Sequence, residues 1–273
     1  MGLLFMGAWP SSAAYFDYSA YDGILHHYVD EDGYVDYDSI RLNSMTALEG
    51  FFESMTNADL AGWPAAERQS FWINAFNSRM LYRVAQHSGK MTMSDIWALQ
   101  ERPSKIAGQM LSPADIRRLL RKENDPRILF ALSDGTLGGP KLCNTAYTPD
   151  NLDLLLQTNA SAFVNSPQHL TVVNGQLKLS TLFKSYEKDF ETGGGVPAFI
   201  SVLLNSNQRD DADIIKQLLT TSYAKSSFMN NWTTNNLKNK SEPQPTNAST
   251  PFNAPPDASS TSNPDLSKDQ QAP

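Results

Sequence analysis

One cysteine, Cys143, stands in 273 residues, so no disulfide can form within the chain, and a cysteine-based zinc site or a thiol pair is ruled out. A lone cysteine ordinarily packs as a small hydrophobe. No block of consecutive Lys or Arg occurs either, and 22 basic against 29 acidic residues give a formal charge of −7. A phosphate backbone would be repelled over most of such a surface, which sets nucleic acid aside as a partner. Long apolar runs are missing too: none approaches the roughly 20 residues of a membrane-spanning helix, so no integral membrane segment is expected. Histidines number four. His26 and His27 are adjacent and point about 100° apart on a helix, and no His/carboxylate spacing resembles a metal site. Neither a metal nor a cofactor is expected.

What remains is 40% hydrophobic and 19% charged residues, enough for one substantial core. The first fourteen residues are apolar up to Trp9, with small residues at 11–14 and no basic start. They read either as a truncated signal peptide or as an exposed apolar arm, and the first reading makes the protein secreted or periplasmic. Residues 15–225 are expected to form a single globular domain. From Ser226 the chain turns rich in Asn, Ser, Thr, Pro and Gln. That composition buries too little to offset ordering, so 226–273 read as a disordered tail, with Trp232 the residue to anchor it.

Within the body, apolar spacing predicts helices over 16–29, 44–56 and 65–87. The third places Trp72, Ile73, Phe76, Met80, Leu81 and Val84 across one half of its surface, with Asn77 inside that arc and Asn74 at its margin. A carboxamide on a buried face needs partners, because leaving it unpaired costs about 1 to 3 kcal/mol. Asn77 either ties its helix to a neighbouring backbone segment or faces a pocket together with Asn74. Residues 101–109 read as a loop. Ser112-Pro113-Ala114-Asp115 is a strong helix start, and Thr148-Pro149-Asp150 opens another. Asn174-Gly175 between two short apolar-containing runs predicts a type I′ hairpin over 170–179. Further helices follow Ser180, over 196–204 and over 210–223. The fold class is α+β: mainly helical, with a small, partly antiparallel sheet including that hairpin.

The most informative stretch is 125–148, D-P-R-I-L-F-A-L-S-D-G-T-L-G-G-P-K-L-C-N-T-A-Y-T. Its apolar run, 128–132, has no polar alternation. It suits a strand covered on both faces or a short buried helix, the strand being favoured. Ser133 and Asp134 then lead into a turn containing Gly135, Gly138 and Gly139. The spacing is not that of a P-loop, Pro140 removes a backbone donor, and Ser133 lacks the flanking glycines of a nucleophile elbow. Asn74, Asn77, Ser133 and Asp134 are the candidate cleft residues.

S-F-W-I-N-A-F-N on the third helix and D-P-R-I-L-F-A-L-S-D-G-T-L-G-G-P together resemble the domain of unknown function 547 family. Ala146-Tyr147-Thr148 and the run 179–190, L-S-T-L-F-K-S-Y-E-K-D-F, supply two further ordered matches. The resemblance spans about 16–204. It implies a histidine where this chain has Leu129, cysteines where it has Asp134 and Gly139, and a glutamate where it has Arg117. A Cys, His and Glu set would suit thiol chemistry, since a thiolate needs a base or cation to form near neutral pH. Its loss here implies a pseudoenzyme that binds a small molecule or a protein. The alternative is an active hydrolase-like enzyme using Asp134 and Ser133 with Asn74 and Asn77, where burial would raise the Asp134 pKa toward that of a general base. A third reading gives the contact with a partner to the tail.

Overall fold

Gly62-Trp63-Pro64 releases the chain into the longest helix, here α4 (Ala65–Gln86), whose apolar half carries Phe71, Ile73, Phe76, Met80, Leu81 and Val84 into the interior. In the computed structural model, which describes residues 16–87 and 91–240, the elements before it are α1 (Ser19–Tyr28), α2 (Tyr37–Asn43) and α3 (Met45–Thr56). They gather with α4, α5 (Met93–Glu101) and α6 (Pro113–Leu120) around one apolar cluster, the short strands β1 (Ser104–Ile106) and β2 (Gln109–Leu111) running between α5 and α6. Both α5 and α6 start at capping boxes, Thr92 with Asp95 and Ser112 with Asp115. Each box satisfies helix-end amides that would otherwise lack partners.

A second cluster gathers around Phe130 and Phe163. It is built from α7 (Leu152–Asn165), the strands β3 (Leu170–Val173) and β4 (Gln176–Ser180), α8 (Thr181–Ser185), α9 (Gly195–Leu203) and α10 (Ala212–Thr221). β3 and β4 form the expected hairpin, with Asn174 at φ 52° and Gly175 at φ 74°, the positive angles a type I′ turn needs. Ser227–Met229 pairs parallel to β4, so the three-stranded sheet mixes parallel and antiparallel neighbours. The mainly helical α+β class expected from sequence is the class observed.

Three expectations change. First, the favoured strand at 128–132 is a 3₁₀ helix, Pro126–Ala131, started by Asp125, whose carboxylate accepts the Arg127 amide. Ile128, Ala131 and Leu132 belong to the first apolar cluster, Leu129 and Phe130 to the second. Burial from both sides erases polar alternation in a short helix as well as in a strand, hence the ambiguity. Second, the loop expected at 101–109 contains a strand: Ser104–Ile106 and Gln109–Leu111 pair as an antiparallel hairpin. Third, residues 226–240 are not a free tail. Besides the parallel strand, Thr234 bridges to Thr136 and Asn236 to Val35, and these backbone pairings to distant segments supply the order that composition alone does not. The rest of that expectation, 241–273, and the signal-peptide reading of 1–14 both lie outside the described residues. Among the described residues no helix is long and apolar enough to cross a membrane.

Candidate functional site

Two carboxamides on α4 set the backbone that carries the site. Asn74 Nδ2 donates to the Tyr147 carbonyl at 2.7 Å, and its Oδ1 accepts the Tyr147 amide at 3.0 Å. One turn later Asn77 Nδ2 donates to the Ala131 carbonyl at 2.8 Å while its Oδ1 accepts the Ser133 amide at 2.9 Å. Both side chains are buried. Each acts as a surrogate strand partner for an irregular segment that has no ladder of its own. Asn77 therefore fixes the exit of the 3₁₀ helix, and with it the direction in which residue 134 leaves.

Asp134 leaves toward a cavity of about 800 Å³. Its walls come from the end of α5, from α6, from the 129–140 segment, from Ser180 and α8, and from Asn230 and Trp232. Asp134 Oδ1 accepts the Thr136 amide at 3.0 Å and the Thr136 hydroxyl at 2.7 Å. Thr136 Oγ1 in turn accepts the Gly139 amide at 3.1 Å. Burial nevertheless raises the carboxyl above the ordinary Asp value, outweighing the Thr136 donors and the Arg117 charge that pull the other way. Gly139 is needed beside it: a Cβ there would lie 2.4 Å from Asp134 Oδ1. The carboxyl thus fills space that any other residue at 139 would claim.

Arg117 faces the same cavity from α6. Its guanidinium carbon sits 5.0 Å from the Phe76 ring and 6.0 Å from the Tyr186 ring. It makes no hydrogen bond or ion pair among the described residues. Its neighbours are engaged, Arg118 with Asp115 at 2.6 Å and Arg121 with both oxygens of Asp189 at 2.5 and 2.7 Å. Trp97 and Trp232 meet at the lining with rings perpendicular and centroids 6.2 Å apart.

Of the four candidate cleft residues, Asp134 alone lines the cavity. Asn74 and Asn77 hold backbone instead, and Ser133 is buried with its hydroxyl 3.4 Å from the Gly135 amide. The expected shared cleft of the four is not formed, because each carboxamide commits an N–H and its oxygen to backbone. Cys143 packs against the first apolar cluster, away from the cavity lining, and burial raises its thiol pKa. No cluster of three His, Cys, Asp or Glu able to hold a metal occurs among the described residues.

A family model described as "Protein of unknown function, DUF547" matches residues 60–164. The chain carries a DUF547 domain. No curated protein and no solved structure matches it. The four positions singled out by the resemblance, Arg117, Leu129, Asp134 and Gly139, all lie within the DUF547 segment and all line the one cavity. Ser180, Tyr186, Asn230 and Trp232, which complete its walls, come from beyond that segment. Sequence reasoning missed Trp97 and Tyr186. Trp97 lies in no motif and Tyr186 falls in the 179–190 run without standing out there, and only the packing of α5 and of the segment after α8 across the turn brings them in.

Behind the same turn a second cavity of about 550 Å³ shares Gly139 and Pro140 with the first. His169 lines it, stacked on Phe163 with centroids 3.8 Å apart, buried and with Nδ1 unpartnered. Burial pushes its pKa down to about 3 from 6.5. The unfolded chain therefore takes up this proton first as pH falls, and stability drops by roughly 1.4 kcal/mol per pH unit from about 6.5 toward 3. His169→Phe, which keeps a stacking ring, is expected to flatten urea-unfolding stability between pH 6 and 4. An unchanged slope would show that His169 does not set the acid limit.

Proposed function

We propose that this DUF547 domain is a binding module, a pseudoenzyme in which a carboxyl and a guanidinium occupy the place of a thiol centre. One observation carries the reading. The four positions where the resemblance implies Cys, His and Glu converge on one cavity, and here they present no thiol and no imidazole, while Cys143 lies outside that cavity with its thiol pKa raised. A nucleophile of the thiolate kind is thus missing from the cavity that could hold a small molecule. The cavity is large enough for one, and its lining combines apolar and aromatic side chains with polar and charged groups that can orient it.

A second reading has one observation behind it. A half-buried carboxyl with raised pKa, facing a cavity, is also the signature of a general acid or base, and it would make the domain hydrolase-like with Asp134 as the single acid-base group.

Asp134→Asn separates the two. The folded carboxyl is raised, so its contribution to stability is fully present below the ordinary Asp value and is lost as pH rises through the raised one. Asparagine keeps the Thr136 contacts without that loss. The variant is therefore expected to melt higher than the parent at pH 7, with the gain vanishing near pH 4. The binding reading also expects neither protein to turn over a panel of ester, amide and phosphoester substrates. Turnover by the parent that disappears in a well-folded Asp134→Asn chain would overturn it in favour of catalysis.

A further inference from the structure

Arg117 narrows what the cavity can take. A guanidinium lying near two aromatic rings is favoured by their negative faces and keeps its in-plane N–H fork for an acceptor. Among the described residues that fork has none: Arg118 and Arg121 are matched by Asp115 and Asp189, whereas Arg117 has no carboxylate within ion-pair reach. A carboxylate matches such a fork with two parallel hydrogen bonds. Asp134 bears on the selection too, because burial raises its carboxyl above the ordinary Asp value and so weakens the charge it sets against an anion. Part of the lining has the opposite character, with Leu129, Leu132 and the perpendicular pair Trp97 and Trp232 offering flat apolar surface.

We propose that the cavity binds a monocarboxylate with a planar apolar body, its carboxylate on Arg117 and its body along Leu129, Leu132 and the two tryptophans. The inference rests on the binding reading above and names its ligand class. Charge count argues for one negative charge over two. Glu101 also lines the cavity, and Arg117 is the one arginine of the three without a carboxylate partner, so a dianionic phosphate would be under-neutralised.

The test uses matched probes on the full chain: 2-naphthoate against 2-naphthamide, and indole-3-acetate against indole-3-acetamide, with phenyl phosphate as the dianionic arm. Saturation-transfer NMR reports binding and gives relative affinities by competition. Each acid is expected to bind about tenfold or more tighter than its amide, the difference a charge-assisted pair supplies. Arg117→Gln should erase that preference, and Arg117→Lys should restore part of it. The acid-amide comparison on the unaltered chain needs no variant, so a folding defect in Arg117→Gln does not blunt the test. Equal affinity of acid and amide, or a preference that survives in Arg117→Gln, would overturn the carboxylate assignment and leave the binding reading standing. Tighter binding of phenyl phosphate than of either acid would overturn it toward a phosphate ligand. No transfer to any of the five probes would count against both.

Discussion

Gly138→Ala is expected to detach residues 230–235 from the glycine-rich turn and open one wall of the larger cavity. The cause is close approach, since Gly138 is not among the glycines at positive φ. A Cβ at 138 would lie 1.9 Å from Asn230 Oδ1, 2.3 Å from the Asn231 amide nitrogen and 2.7 Å from the Asn231 carbonyl oxygen. Asn230 can swing away, but the Asn231 contacts are backbone, so the segment must move. At stake are the hydrogen bonds from Gly138 N to Asn231 O at 2.7 Å, Leu137 N to Thr233 O at 2.8 Å and Asn235 N to Gly135 O at 2.9 Å. Their loss is worth about 2 to 4 kcal/mol at roughly 1 kcal/mol each plus strain. The checks are a lowered melting temperature, a red-shifted tryptophan emission as Trp232 leaves Trp97, and new protease cuts in 226–240. Gly50→Ala serves as control. Gly50 lies exposed in α3 with nothing within 4 Å of the added Cβ, so that change should be neutral or stabilising by about 0.5–1 kcal/mol.

Asn77→Ala should be strongly destabilising. It leaves the Ala131 carbonyl and the Ser133 amide buried without partners, at about 1–3 kcal/mol each, and adds a small void. A loss of roughly 3 to 5 kcal/mol in urea unfolding is expected. Asn77→Asp isolates the geometry. It can still accept the Ser133 amide but sets an oxygen or a buried charge against the Ala131 carbonyl, so it should rescue little. A loss below about 1 kcal/mol for Asn77→Ala would show that the 131–133 exit is held by other contacts.

Much of the helical frame was legible because its signals are local. Ser112 with Asp115 announces α6 through a bond between residues three apart, and Asn174-Gly175 announces its hairpin because few other pairs take two positive φ angles. Where such chemistry was absent, the reading failed for a definable reason. The hairpin of Ser104–Ile106 and Gln109–Leu111 turns at Ala107 and Gly108, with Ala107 at φ 47°, an angle alanine rarely adopts. That angle is tolerated because the end of α3 receives the turn: Met55 O accepts the Ala107 amide at 2.9 Å and Thr56 O the Gly108 amide at 2.8 Å. No pattern in 101–109 encodes a bond to residue 55. The helix α2 was missed although Asp36 caps it through the Ser39 amide, since its few apolar residues do not repeat long enough to show a period.

The candidate site divides in the same way. The family resemblance, carried by the order of the motifs, pointed to the 125–148 stretch and to positions 117, 129, 134 and 139, and the single cysteine excluded a disulfide within the chain and a cysteine-based zinc site. These conclusions need only the identity and spacing of neighbours along the chain. Tertiary structure alone decided that Asn74 and Asn77 hold backbone while Asp134 turns into a cavity. It also decided that Arg117 stands there without a hydrogen bond or ion pair among the described residues, and that residues 226–240 close the wall that composition had assigned to a tail. Each of these depends on which surfaces meet across tens to more than a hundred residues of sequence. Burial and hydrogen-bond satisfaction select those meetings collectively, so no local stretch carries them.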